Sequence, residues 1–549
     1  MQGISKRAWL TLMAALLLPL ISMMIVPFYD TSEPRYAEIA RVMAQSGDWI
    51  TPWFSPGVPF WGKPPLAFWA QALSMRLFGF TEFAARLPAW ICLVLSDALL
   101  VAGLARLKGP RVAILTALVY STCTLVYICC GAVLTDAFLA LGTTLSLVSF
   151  AVMAGSARLP ARPTGGETAF LVRPRMGGTL WWRYGFFIGL AIGLLAKGPL
   201  AAVLILAPVL AWSVLNRQTG SPPALPWSRG LALAAALSLP WYVLAEIKTP
   251  GFLDYFIIGE HLRRFLDPGW AGDLYGSAHQ RAYGTIWLYW LMATFPWGPA
   301  GIATAAGALR SARIRQALRS TVHDPLFGYW LAAALFTPIF FTFSANILWT
   351  YLLPSLAGFS VLVAMFAERM ERQFNGTERV LAAASAIVPA CVLAFSAVVW
   401  AKPDLRNTER SLVRYVMPHG QPTFPLMYLS KPPFSAQFYS AGQVREITPG
   451  SLKIAARCAS PFYLAVPRER QDTIAGILGH APDTVYANKR YLLVKVLPSG
   501  HCDALSPDKP DVDQVVLAEH APPSVSASVA ALSRPSQAAS ASPPRPDDS

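Results

Sequence analysis

Residues 6–38 read KRAWLTLMAALLLPLISMMIVPFYDTSEPRYAE, and this stretch anchors everything that follows it. Lys6 and Arg7 precede an apolar run from Trp9 to Val26 that is long enough to cross a bilayer. No small-residue cleavage site follows and many more apolar runs do, so it reads as a retained first span. Under the positive-inside rule its N-terminus is cytoplasmic, and residues from about 27 to 65 emerge on the far side. Just past the run come Asp30, Glu33 and Arg35, charged groups at a membrane boundary.

The composition agrees. Of 549 residues, 54% are apolar and 14% charged, with a mean hydropathy of +0.43. A soluble chain carries about 25% charged residues, which argues against a cytosolic multidomain enzyme. The 18 Trp and 29 Phe suit a bilayer interface. A formal charge of +15 does not make nucleic acid a partner, because the basic residues sit in short loops between apolar runs. Further runs lie near 88–105, 112–130, 133–153, 184–197, 199–215, 230–247, 284–308, 326–343, 350–367 and 380–400. The expected fold is therefore a polytopic α-helical membrane protein with about 11–13 transmembrane helices, counting short or re-entrant helices such as 66–79. Loop charges alternate accordingly: Arg106, Lys108 and Arg111, then Arg158, Arg162, Arg173, Arg175 and Arg183, then Arg310, Arg313, Arg315 and Arg319 fall on the cytoplasmic side.

This frame divides the chain into a membrane region over 1–400, with far-side loops near 27–65 and 248–283, a domain over 401–515, and a tail over 516–549. An odd number of spans leaves the 401–515 domain on the outer, periplasmic side of a bacterial inner membrane. Strand patterns at 425–429, 461–466 and 491–497, with helices at 435–441 and 470–480 between them, predict a small α/β domain. The tail is Ala/Ser/Pro-rich and predicts disorder. Cys92, Cys123, Cys129, Cys130 and Cys391 lie in apolar runs, where Cys packs as a small hydrophobe. Cys458 and Cys502 fall in the outer domain, in an oxidising compartment, and are a candidate disulfide.

Charged clusters on the outer side mark where chemistry can occur. In Asp30-Thr31-Ser32-Glu33-Pro34-Arg35-Tyr36-Ala37-Glu38, Pro34 suits a first helical turn, with the acids at the positive helix end. A plain juxtamembrane helix explains the same residues. Pro59-Phe60-Trp61-Gly62-Lys63-Pro64-Pro65-Leu66 fixes a Lys between aromatics and a double Pro, placed either to meet a lipid-linked phosphate or to snorkel as an anchor. Glu260-His261-Leu262-Arg263-Arg264-Phe265 brings Arg, suited to bidentate phosphate recognition, beside a His that is either a proton carrier or structural. Thr135-Asp136 and Lys197-Gly198-Pro199 lie at span ends on the same side.

Together these pieces resemble the GT-C membrane glycosyltransferases of the protein O-mannosyltransferase superfamily, and most of all the bacterial aminoarabinose transferases that modify lipid A. The resemblance runs from Asp30 to Pro354. It includes the Asp30–Tyr36 stretch, Gly47-Asp48-Trp49, Lys63-Pro64-Pro65, Phe83-Ala84-Ala85-Arg86-Leu87-Pro88, Lys197-Gly198-Pro199, Glu260-His261 with Arg264-Phe265, and Thr350-Tyr351-Leu352-Leu353-Pro354. It implies an undecaprenyl-phosphate sugar as donor and a lipid A phosphate as acceptor, both reached from the membrane lipids on the periplasmic face. It also implies Asp30 and Glu33 as catalytic residues, with Arg35, Tyr36, Lys63, Asp136, Lys197, Glu260, His261, Arg264 and Tyr351 as substrate contacts. Of these, Lys63, Arg35 and Arg264 would hold phosphates, and Glu33 or Asp136 would pair with a sugar amine. An anionic acceptor needs orientation and charge screening, whereas a hydroxyl acceptor needs a base, for which Asp30 is the natural choice.

Two positions depart from the family. Its Glu before the Lys, which with the residue matching His261 is implicated in holding a metal, is Gly62 here, and this argues against a bound divalent cation as cofactor. In Ser344-Ala345-Asn346-Ile347-Leu348-Trp349-Thr350-Tyr351 the family's basic residue near 347 is missing. Both changes fit a different sugar. The leading expectation is transfer of an amino sugar, aminoarabinose or a hexosamine such as glucosamine, to lipid A, which masks negative charge and confers resistance to polymyxin and other cationic peptides. The alternatives are a mannosyltransferase-like enzyme acting on protein Ser/Thr or another envelope glycan and, from a different class, a lipid or sugar transporter. The last is disfavoured because the charges gather on one face and no internal repeat is found.

Overall fold

The apolar runs become helices wherever no break interrupts them. A computed structural model describes residues 6–157, 176–215, 225–277, 279–418, 424–458, 460–478 and 483–497. Six helices among them are long and apolar enough to cross a membrane: Lys6–Ile25, Glu82–Lys108, Asp136–Gly155, Trp227–Lys248, Trp349–Gln373 and Thr377–Ala401. Two bent pairs, Pro110–Thr122 with Thr124–Cys130 (71°) and Ala312–Val322 with Phe327–Thr342 (90°), raise the number to eight, and Leu200–Leu215 is a shorter apolar helix. This is a membrane protein with multiple spans.

Apolar runs outnumber crossing helices for a local reason. The run at 284–308 divides into Thr285–Thr294 and Trp297–Gly307, with Pro296, which has no N–H to donate, between them. The run at 112–130 divides at Cys123. Leu66–Phe78 forms the short helix expected near 66–79. It lies with Ser32–Ser46 and a small hairpin, Trp53–Ser55 against Val58–Pro59, at one end of the bundle.

Small residues set the approach of the central helices. A Cβ on Gly142 would lie 2.6 Å from the Gly189 carbonyl oxygen, so Asp136–Ala157 and Met176–Lys197 pack backbone to backbone. Ser146 adds a bond across this contact, donating to the Phe186 carbonyl at 2.8 Å. The two helices run antiparallel, so the first residue of one, Asp136, meets the last of the other, Lys197. Each charge also suits the helix end on which it sits.

Beyond Ala401 the chain builds a five-stranded mixed sheet in the order Arg445–Glu446, Leu426–Tyr428, Phe462–Pro467, Tyr491–Val496, Thr484–Ala487. The first three strands are parallel and the last three antiparallel. Alternation along each strand separates two cores. Met427, Leu464, Val466, Val494 and Val496 pack with Leu452, Ala455 and Ile474 on one face, while Leu426, Tyr428, Ala465 and Leu493 meet Leu412, Val413, Val416 and Ala436 on the other. The strands expected near 425–429, 461–466 and 491–497 are these central ones, and the helices expected at 435–441 and 470–480 are Phe434–Tyr439 and Gln471–Leu478. The edge strands and the helices Arg410–Val416 and Pro449–Cys458 carry too short or too mixed a pattern to read from sequence. Cys502, and with it the Cys458 pairing, lies outside the described residues, as do the 516–549 tail and Arg158, Arg162, Arg173 and Arg175.

This domain sits on the end of the bundle that carries Ser32–Ser46. The Phe28 and Phe438 rings meet edge to face at 4.9 Å. Between them the Tyr439 hydroxyl accepts from the Phe28 N–H at 2.9 Å and donates to Glu82 at 3.0 Å.

Candidate functional site

Lys63 projects from a loop held at both ends. The Tyr275 hydroxyl accepts from the Trp61 N–H at 2.9 Å and donates to the Pro59 carbonyl at 2.8 Å, and the Trp61 indole donates to Thr249 at 3.1 Å. The ammonium so placed pairs with Glu260 at 3.2 Å. Glu260 lies on Asp254–Arg263, a helix with wide π turns that continues into Arg264–Leu266. Such turns are frequent at functional sites. From the next turn Arg264 reaches Glu260 at 2.9 Å and Asp273 at 3.2 Å, and the Tyr255 hydroxyl donates to Glu260 at 3.2 Å. One buried carboxylate thus holds Lys63 and Arg264 in a fixed pair. Lys197 pairs with Asp136 at 3.0 Å and lies 5.2 Å from the centre of the Tyr351 ring.

These groups form the polar end of a cavity of about 420 Å³ lined by Lys63, Lys197, Glu260, His261, Arg264 and Tyr351. Leu200, Val203, Leu262, Phe265 and Phe340 form its apolar wall. A head-and-tail ligand matches this division. The field at the polar end is positive. Burial raises the Tyr36 phenol, yet Arg35, Lys63 and Lys197 bring it below its ordinary value. Burial likewise raises Glu260, and Lys63 and Arg264 overcome it, so this carboxyl stays ionised below its usual range.

His261 closes the floor. Its Nδ1 lies 2.7 Å from the Phe256 carbonyl oxygen and its Nε2 lies 2.9 Å from that of Lys197. Burial holds its pKa below the ordinary value, against the pull of these two carbonyls. Both ring nitrogens face backbone oxygens, so neither is directed at a space where a metal could sit. At position 62 a Cβ would stand 3.1 Å from the Phe60 ring, where only Gly packs without displacement. Among the described residues no group of three or more His, Cys, Asp or Glu is arranged to hold a metal ion, and the residues present do not fit the divalent cation that the family resemblance raises.

The remaining residues singled out in the sequence divide among three places. Tyr36 lies beside the cavity just described, and Arg35 next to it donates to the Tyr275 carbonyl at 2.6 Å. Glu33 turns the other way and binds Arg86 at 2.7 and 2.9 Å. Asp30 is not among the residues lining the cavity. Its Oδ1 accepts from the Ser435 N–H at 3.0 Å, and its Oδ2 accepts from the Ser435 hydroxyl and from Arg490 at 2.6 Å. Arg490 in turn pairs with Glu409 at 2.7 Å. Asp30 therefore joins the membrane helices to the sheet domain.

Several residues of the site were not legible in advance. Asp273 supports Arg264 from a loop with no motif, and Tyr255 supports Glu260 from the preceding turns of its own helix. Asn346 donates to the carbonyls of Arg264 (2.7 Å) and Asp267 (2.6 Å) and accepts from the Gly269 N–H at 2.9 Å, so it fixes the chain that carries Arg264. Ile347, where a basic residue was expected, is buried in the apolar core. Arg86 stood in the family-like stretch Phe83–Pro88 and near the start of a long apolar helix, but neither signal gave it a role. Arg490 had none.

Three comparisons bear on this arrangement. Residues 7–256 match the family model described as dolichyl-phosphate-mannose-protein mannosyltransferase. The undecaprenyl phosphate-alpha-4-amino-4-deoxy-L-arabinose arabinosyl transferase of Edwardsiella ictaluri is 32% identical over 351 residues, 62% of this chain and 56% of that protein. Its counterpart from Aeromonas salmonicida is 29% identical over 360 residues, 64% and 58% of the two chains. In both cases the match spans less than two thirds of the relative's own length. The crystal structure of ArnT from Cupriavidus metallidurans bound to undecaprenyl phosphate superposes with a TM-score of 0.70 at 16% identity, over 90% of this chain and 99% of that one. The two proteins share a fold.

Proposed function

From the match of residues 7–256 to the dolichyl-phosphate-mannose-protein mannosyltransferase family model, we propose that the protein is a membrane glycosyltransferase using a polyprenyl-phosphate sugar. In the finer reading it moves an amino sugar from undecaprenyl phosphate to a phosphate of lipid A on the periplasmic face of the inner membrane, and so contributes to resistance to cationic peptides. The observation that carries this reading is the pairing of Lys63 and Arg264 on Glu260 at the head of an apolar cavity. Sequence relatives named for the same donor and an amino sugar support it.

In this reading the donor phosphate lies against Lys63 and Arg264, with the prenyl chain along Leu200, Val203 and Phe340. The bond from the sugar's anomeric carbon to the phosphate oxygen breaks, and its electron pair leaves with undecaprenyl phosphate. An oxygen of the acceptor phosphate makes the new bond to that carbon. Charge grows on the departing phosphate, and preorganised cations in a site shielded from water stabilise it most. The acceptor is already anionic, so the step needs no base, and Asp30 is free to serve as a joint between domains. Asp136 holds Lys197 in place and is the carboxylate available to a sugar amine.

The test is mass spectrometry of lipid A from a host that lacks its own sugar additions but makes the donor. With the gene present, lipid A should gain a pentosamine or hexosamine increment that Lys63→Ala abolishes. Unmodified lipid A alongside expressed protein would overturn the acceptor assignment. An increment that survives in Lys63→Ala would overturn the donor site.

A further inference from the structure

A second cavity lies on the other side of the same charged stretch. Its volume is about 490 Å³, and Val26, Tyr127, Ile128, Phe295, Val392 and Phe395 give it an apolar wall between the first span and the helix Ile387–Ala401. Phe295, Cys391 and Phe395 in that lining are exposed on the bundle's outer surface, so the cavity opens sideways toward lipid.

Its polar end holds Glu33, Arg86 and Arg406. Arg86 is fully committed, to both oxygens of Glu33 and to backbone carbonyls that include Val26. Arg406 is not. Among the described residues no carboxylate pairs with it, and its guanidinium rests only on the rings of Tyr29 (4.9 Å) and Phe395 (5.6 Å). Burial holds its pKa below the usual value despite the attraction of Glu33. With Arg86 neutralised by Glu33, the cavity carries one uncompensated, half-buried positive charge above an apolar chamber. That is the complement of an anionic amphiphile.

The position relative to the first cavity adds a second argument. Glu33 faces this chamber, while Tyr36, one turn further along the same helix and about 4.5 Å higher, lies in the field of Lys63 and Lys197. The connection before Asp136 repeats the pattern, since the Val133 N–H donates to Glu33 at 3.3 Å and Asp136 binds Lys197 at 3.0 Å. The two cavities therefore stand back to back across residues 33–36 and 133–136. We propose that this second cavity is the acceptor site, taking a phosphorylated, acylated glycolipid whose phosphate is received by Arg406 while its acyl chains lie against Val392 and Phe395. The assignment rests on the transferase reading above.

The experiment uses the full-length protein in detergent, with native mass spectrometry to count bound lipids from titrations of diphosphoryl lipid A, phosphatidic acid and undecaprenyl phosphate. Arg406→Gln, which removes the charge, and Val392→Trp, which fills the chamber, should each weaken lipid A binding by roughly tenfold or more, the scale of one charge-assisted hydrogen bond. Both should still bind undecaprenyl phosphate, which also shows that they are folded, whereas Lys63→Ala should lose that lipid and keep lipid A. Arg406→Lys should recover part of the loss. Unchanged lipid A binding in both variants would overturn the assignment. So would equal binding of phosphatidic acid lost in the same variants, which would mark a structural lipid site, or loss of undecaprenyl phosphate in Arg406→Gln. Kinetics separate this inference from its premise: an unaltered acceptor KM in an active Arg406→Gln enzyme defeats the acceptor site alone. Lipid A binding without any sugar transfer defeats the reaction alone.

Discussion

Lys63 and Lys197 both carry a positive charge into the first cavity, but removing Lys63 and removing the carboxylate that holds Lys197 have different consequences. When Lys63 is replaced by Ala, Glu260 keeps Arg264 as a partner, so the fold survives and the loss falls on the donor. The expected cost in donor kcat/KM is about 2–5 kcal/mol, the range for removing one partner of a desolvated charge pair. A thermal unfolding midpoint equal to that of the wild type should accompany it. Asp136→Asn acts on stability instead. It leaves the Lys197 ammonium, 9% exposed, without its carboxylate, and stranding a buried charge costs about 3–5 kcal/mol. Unfolding in detergent should record this as a lower midpoint, and an unchanged midpoint would show that the Tyr351 ring alone suffices. At this scale the cations were legible, because Lys63, Lys197 and Arg264 stand out in a chain with 14% charged residues. The pairings of Lys63 and Lys197 were not, since Lys63 and Glu260 stand 197 positions apart and Lys197 meets a carboxylate from another helix. Sequence spacing says nothing about which carboxylate arrives.

Between Met176–Lys197 and Leu200–Leu215 the chain turns at Gly198, whose φ of +74° lies in the region that favours glycine. A Cβ there would also stand 2.7 Å from the Phe256 ring and 3.2 Å from His261. Gly198→Ala should therefore cost about 1–3 kcal/mol from strain and should pull Lys197 away from His261, lowering donor use as well as stability. Normal activity in that variant would mean the turn tolerates a side chain and does not position Lys197. The hairpin carrying Arg490 has its own chemistry. Asn488 fixes it, accepting from the Arg490 and Tyr491 N–H groups at 2.8 Å and donating to Glu409 at 2.8 Å. Burial pushes the Glu409 carboxyl up to about 7, against Arg490 and Asn488, from an ordinary value of 4.5. A carboxyl raised in the folded state holds its proton where the unfolded chain has lost it. Its contribution to stability is thus greatest below pH 4.5 and declines as the pH rises to about 7. Unfolding midpoints of Glu409→Gln should lose that part of the pH dependence across the same window. A slope identical to the wild type would remove Glu409 as its source.

At the scale of the whole molecule, the Asp30–Arg490–Glu409 chain ties the sheet domain to the helix bundle. Asp30→Asn and Arg490→Ala should therefore behave alike, each lowering stability by about 1–3 kcal/mol through loss of a charged hydrogen bond and loosening the domain toward proteolysis. Loss of transfer in Asp30→Asn, with full stability and an active Arg490→Ala, would restore Asp30 to the role of base.

The sequence by itself determined that this chain crosses a membrane several times, that charge gathers at one end of the spans, and that a small α/β domain follows. Those conclusions rest on composition and on periods of two and 3.6 residues, which are local properties of the chain. Only the tertiary structure decided how the charges are shared. Lys63, Lys197, Glu260, His261 and Arg264 meet in one cavity, Glu33 belongs to another, and Asp30 belongs to neither. Residues a few positions apart on a helix face different neighbours, so the motif from Asp30 to Tyr36 is one stretch of sequence and three separate environments. Partition of that kind follows from which helices pack side by side, and the packing is set by contacts such as Gly142 on Gly189 that no local pattern announces.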